Sequence, residues 1–346
     1  MISYQILNEN TKKKYSRAGQ TSLIYHLVKS MQLIILGFVI ILVLAFTPVE
    51  AQLKVEPVYD PAKVEFIYDD LHNFLKAFKM INEGADLEET LKKEYLDKAS
   101  PGLKNYMEDA GYELKHFVER FEKYKKNYTT LPELPNQLVS QEPHIRKALQ
   151  GMKKIFPKPV FIPIYILVGI SGGLHAEPSE VGIRLAFSRA ASPDRLPRLK
   201  LTIIHELIHV QQALAIGMEQ YHSIYEENRS LLAVSIREGV AEYLTYLISG
   251  EYSKKGIYDY IKKDEKKIWE RFKAEMHAPE FGDWLFSKPK DPDQPRDLGY
   301  IMGAMIVESY YENADDKKKA IDEILSITDY KGFLKKSRYA EKFLKQ

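Results

Sequence analysis

Apolar and polar positions divide the chain into segments of different character. Residues 33–46 (LIILGFVIILVLAF) are uncharged and almost wholly apolar. These 14 residues fall short of the ~20 that a spanning helix needs. Beyond them the period becomes helical. Asp60-Pro61 puts an N-cap before a proline at the first helical position, and Val64, Ile67, Tyr68, Leu71, Leu75 and Phe78 follow at helical spacing. A second amphipathic helix is predicted from Leu103 to Tyr124, its stripe formed by Tyr106, Met107, Ala110, Leu114, Phe117, Val118 and Phe121. Between Phe156 and Ser188 the pattern turns to short Ile- and Val-rich runs, VFIPIYILVGI and VGIRLAF, punctuated by prolines and by Ser171-Gly172-Gly173. This reads as short strands.

From Leu199 helices return. LKLTIIHELIHVQQALAIG ends at Gly217 and SLLAVSIREGVAEYLTYLISG ends at Gly250; both are apolar nearly all round and should be buried. Lys255 to Met276 reads as one charged, solvated helix. A Pro- and Asp-rich loop then leads to DLGYIMGAMIVESYYENA, with Asp297 as its expected cap and Gly299, Gly303 and Ala304 allowing a neighbour to approach closely. The whole reads as an α+β fold, mainly helical: residues 1–51 a targeting segment, 52–155 a helical region and 156–346 a catalytic domain.

Composition sharpens this reading. With no cysteine, disulfides, thiolate metal sites, a cysteine nucleophile and an acylated N-terminal cysteine are all excluded. Any metal must be held by His, Asp or Glu. The net charge of +2 creates no field suited to nucleic acid. Residues 1–51 carry five Lys and Arg against two acids, so the rest of the chain is at −1. Lys12, Lys13, Lys14, Arg17 and Lys29 precede the apolar run, and Val49 and Ala51 place small residues at the −3 and −1 positions of a cleavage site. The expectation is an exported protein, periplasmic, cell-envelope or extracellular, whose mature chain starts near Gln52. An uncleaved N-terminal anchor is the alternative.

The chemistry centres on His205-Glu206-Leu207-Ile208-His209. Residues four apart share a helix face, so both imidazoles can meet one zinc ion, while Glu206 lies beside that face where a carboxylate can act on water as a general base. A catalytic zinc takes three protein ligands and leaves one position open. Arg237-Glu238-Gly239-Val240-Ala241-Glu242-Tyr243, on the next buried helix, offers the third. Glu238 is assigned as ligand, and Glu242, one turn on, as the acceptor of a ligand-histidine N–H; the two roles can be exchanged on spacing alone. The plainer reading makes these acids partners of Arg237 or another cation in a buried ion pair. It leaves three polar groups of an apolar helix to pay desolvation without a metal.

HELIH followed by EGVAEY resembles the gluzincin branch of zinc metallopeptidases, in which a downstream Glu-Gly segment supplies the third ligand. More loosely, residues 156–343 resemble a bacterial family of predicted zinc-dependent proteases related to a gliding-motility envelope lipoprotein, on VGISGGLHAEPSEVGIRLAF, HELIHVQQ, REGVAEY and LGYIMGAMIVESYYENADD. The resemblance implies a zincin-like domain with a small mixed sheet, one Zn2+ and hydrolysis of a peptide or protein substrate, with Glu206 as base. An oxyanion donor is also implied. Tyr300 is favoured over Tyr243, His277 and Arg296, with a plain core role for Tyr300 as the alternative. The VGIRLAF strand is expected to take an extended peptide at its edge, and His175 to be a loop residue. Two rival functions remain at this level: a non-catalytic, partner-binding envelope protein, and a zinc hydrolase of a non-peptide substrate.

Overall fold

The computed structural model describes residues 53–170, 173–193, 195–226 and 229–344. The signal or anchor expectation for residues 1–51 lies outside them. No helix among the described residues is long and apolar enough to cross a membrane. Gln52–Gln346 forms one compact unit, α+β and mainly helical, built around a four-stranded mixed sheet.

The sheet runs in the order β1 (Phe66–Ile67), β2 (Ile164–Val168), β4 (Gly182–Phe187), β3 (His175–Ser179). β1, β2 and β4 are parallel, and β3 is antiparallel to β4. Every residue of β2 and β4 is buried, as expected where both sheet faces are covered and strands read as continuous apolar runs. VGIRLAF is therefore an interior strand, paired on both sides, and cannot take a peptide at its edge. The edge on that side is β3, which the sequence pattern missed because HAEPS is polar and half exposed. His175 sits on this strand, 3.4 Å from Glu177, and is not a loop residue.

The N-terminal helices are α1 (Asp69–Asn82), α2 (Leu87–Glu94), α3 (Pro101–Ala110), α4 (Leu114–Tyr128) and α5 (Leu134–Gln150). Asp60 caps only a 3-10 turn, Pro61–Lys63, through Ala62 N–H. Val64 and Ile67 belong to an extended segment whose backbone Arg146 grips at Val64 O (2.7 Å), and the helix begins at Asp69. The expected helix from Leu103 to Tyr124 is two helices. Gly111, left-handed at φ 65°, ends the first, and Glu113 with His116 forms a capping box for the second. α1 and α3 cover β2, and α3 packs so closely that a Cβ at Gly102 would lie 2.2 Å from the Tyr165 ring.

The C-terminal half contributes α6 (Leu199–Ile216), α7 (Met218–Glu226), α8 (Leu231–Ser249), α9 (Lys255–Lys263), α10 (Glu265–Glu275), α11 (Leu298–Asn313), α12 (Lys317–Leu325) and α13 (Tyr330–Ser337). The expected charged helix from Lys255 is thus broken at Asp264. Asp297 is not a side-chain cap for α11; it is left-handed itself, and its carboxylate accepts the Phe286 N–H at 3.1 Å. α6 packs against β3 and β4 and also against α8. α8 and α11 cross at glycines: a Cβ on Gly303 would meet Ser235 O at 1.7 Å, and one on Gly239 the Gly303 carbonyl carbon at 2.1 Å. This contact fixes α8, and with it the acids it carries, against both neighbours.

Candidate metal centre

α6 and α8 are the two helices on which the motif residues lie. α8 starts at Ser230, whose hydroxyl accepts Ala233 N–H (3.2 Å), and ends at left-handed Gly250. Their facing sides bring three side chains to one point. His205 Nε2 and His209 Nε2 are 3.1 Å apart, and Glu238 Oε2 is 3.3 Å from the first and 3.2 Å from the second. Ligands of a tetrahedral zinc at about 2.0–2.1 Å stand about 3.3–3.4 Å apart. The donor triangle therefore fits such an ion in size, and two imidazoles with one carboxylate are a donor set that zinc takes at catalytic sites. All three residues are buried.

The far nitrogens of both rings are also held. His209 Nδ1 faces Gln212 Oε1 at 2.7 Å, and His205 Nδ1 faces Glu242 Oε1 at 3.3 Å. Each acceptor keeps the ring proton on Nδ1 and turns the Nε2 lone pair toward the shared point. Gln212 is fixed in turn by donating to Arg237 O (3.3 Å), and Glu242 by the Ser253 hydroxyl. Ser253 belongs to the turn after α8, which is tied to α6 by Arg198 donating to Ser253 O and by the Lys200–Glu251 ion pair (2.9 Å). Glu238 thus faces both Nε2 atoms at the shared point, and Glu242 stands behind His205.

Glu206 is buried, yet its carboxylate accepts no hydrogen bond from any described residue. Burial, with the charges of Glu238 and Glu177 added, pushes its carboxyl up to about 8 despite His205 nearby. Burial works on the partners too. It opposes charge on His205, but hydrogen bonds to Glu238 and Glu242 outweigh it and raise that ring to about 10. On His209 burial prevails and lowers the pKa. Burial also opposes ionisation of Glu238, and the two histidines override it, holding the carboxyl well below the ordinary range. Glu242 is lowered likewise, through His205, Lys254 and Ser253. A raised imidazole beside lowered carboxylates marks a cluster that favours positive charge at the shared point.

Of the candidate oxyanion donors, Tyr300 is the one whose ring contacts a ligand histidine, 6.1 Å from His205 between centroids. Lys254 lies over the Tyr300 ring at 4.6 Å. Tyr243 points away and donates to Glu312 (3.5 Å), and His277 and Arg296 are exposed. Three neighbours escaped the sequence reading. Gln212 had a readable signal, three residues after His209 on the same face. Lys254 follows a helix stop and had none. Tyr221, on α7, lies 6.3 Å from His209 with the Arg237 guanidinium 3.5 Å over its ring. Its place is set by packing between helices, which periodicity does not encode.

These features define a mainly helical α+β protein with a buried two-histidine, one-glutamate group able to hold a metal ion, beside the buried Glu206 carboxylate. A family model described as predicted Zn-dependent protease (DUF2268) matches residues 143–329, more than half of the chain, and the chain belongs to that family. The matched range contains β2 to β4 and α6 to α12. No curated protein and no solved structure matches the chain.

Proposed function

We propose that this protein is an exported, single-zinc metallopeptidase of gluzincin type that hydrolyses peptide bonds, with His205, His209 and Glu238 as ligands and Glu206 as general base. The observation that carries the reading is the Nε2, Nε2, Oε2 triangle with edges of 3.1–3.3 Å, buried beside the Glu206 carboxylate. A scaffold that only bound partners would have no use for a buried acid at that position, which costs stability. The relation to gliding-motility lipoproteins rests on the quoted motifs and on no other observation.

When bound, zinc supplies a Lewis acid that polarises the scissile carbonyl and acidifies water. The chain does the rest. Glu206 takes a proton from the attacking water as its oxygen bonds to the carbonyl carbon, and returns a proton to the amine as the C–N bond breaks. Tyr300 donates to the oxygen that gains charge. Glu242 and Gln212 keep the two imidazoles in one tautomer and orientation. An extended substrate pairs with β3, the sheet edge that packs beside α6.

The test is hydrolysis of a defined peptide mixture in H2-18O by the zinc-loaded chain, read by mass spectrometry. New C-termini carrying one 18O are expected. Zinc-loaded protein that leaves every peptide intact, while hydrolysing esters or other acyl compounds, would overturn the peptide assignment.

A further inference from the structure

Phe286 is out of place by the rules that govern the rest of the fold. Only four large hydrophobic side chains are exposed among the described residues, and Phe286, at 51%, is the aromatic one. Its backbone is left-handed, φ 59°, a conformation that is costly for a bulky residue and open to glycine. Asp297, itself left-handed at φ 64°, holds it there through the Phe286 N–H. Backbone economy does not account for a half-exposed phenyl ring kept in this position. Strain of this kind collects where a side chain has to be presented.

The ring is presented toward the metal centre. It stands edge-on to Tyr300 at 6.1 Å and 85°, and Tyr300 is the residue that lies 6.1 Å from the ligand His205. Behind it Phe281, which is buried, supports Phe286 at 5.7 Å and 67°. Phe281, Phe286 and Tyr300 therefore form an unbroken aromatic row that starts in the core, surfaces at Phe286 and ends one ring from the zinc ligands. A phenyl ring exposed on such a row offers apolar area and an edge or face for another ring. With one ring, Tyr300, between it and His205, Phe286 is placed to touch a substrate side chain near the bond being cut.

We propose that Phe286 is the wall of a substrate subsite for a bulky apolar side chain, aromatic or branched aliphatic, next to the scissile bond. The occupant is the substrate because the row is continuous with the catalytic centre. The proposal rests on the peptidase reading of that centre, and its test separates the two.

The probes are synthetic peptides matched except for Phe or Ala at one position, used with the full mature chain. In the zinc-loaded protein, Phe286→Ala is expected to cut the ratio of kcat/KM values for the Phe and Ala peptides at least tenfold, and Phe286→Leu to restore most of it. In a Glu206→Gln background, where no cleavage interferes, fluorescence anisotropy should show Phe286→Ala weakening the Phe peptide five- to tenfold and the Ala peptide less than twofold. An unchanged ratio and unchanged binding would overturn the subsite. So would dissociation of a dimer on substitution with the cleavage preference intact, which would assign the ring to self-association. Phe286-dependent binding without any hydrolysis by the wild-type chain would keep the subsite and sink the peptidase reading.

Discussion

At the residue scale, the proposed chemistry rests on two glutamates of one helix taking different places. Glu238 and Glu242 are one turn apart, equally buried, and spacing alone leaves them interchangeable. Position separates them: Glu238 Oε2 faces the Nε2 atoms of both histidines, and Glu242 Oε1 faces Nδ1 of one. Glu238→Ala removes a donor and should reduce zinc occupancy to a small fraction after dialysis. Glu242→Ala removes an orienting partner, worth about 10–100-fold in metal affinity, and should leave occupancy measurable at micromolar free zinc. Metal analysis of both variants checks the order, and the reverse order would exchange the roles. The two-histidine face was legible because helical spacing survives folding unchanged. Tyr221 and Lys254 were not, since a helix junction and a loop bring them in from outside any periodic pattern.

At the scale of elements, the centre depends on how closely three helices meet. α8 touches α6 with its acidic face and α11 with its glycine face, so spacing on one side sets geometry on the other. Gly303→Ala would force a methyl into Ser235 O, 1.7 Å from the ideal Cβ. Overpacking of this kind costs about 1–3 kcal/mol, and the variant should melt several degrees lower and bind zinc more weakly. Gly256→Ala, whose Cβ would meet nothing within 4 Å on α9, should leave the melting temperature unchanged or raise it slightly. Equal melting temperatures for the two would refute the spacing argument. The long buried helices read clearly from the sequence because their apolar character and glycine stops are strong. Amphipathic stretches were read as single helices where Gly111 and Asp264 break them. β1 passed for part of a helix, because two residues of strand carry no period of their own and pairing with Ile164 and Tyr165 decides the matter.

At the scale of the whole molecule, sequence position separates what the fold joins. β1 comes before all the N-terminal helices, yet it completes a sheet whose other strands lie about a hundred residues on, and α3 supplies Asn105 and Asp109 to the buried Arg184 of β4 (3.0 and 2.6 Å). The family match begins at residue 143, so this N-terminal cover is an addition to the matched core. Residues 1–51 carry the export proposal; N-terminal sequencing of protein recovered outside the cytoplasm should begin near Gln52, whereas a start before Leu33 would favour an anchor. The proposed hydrolytic zinc centre can be tested in one comparison: zinc content and peptide turnover of the mature chain beside its Glu206→Gln variant. The account predicts close to one zinc per chain in both, with turnover at least a hundredfold lower in the variant, as loss of a general base requires. Equal turnover in the two, or no zinc in either, would contradict it.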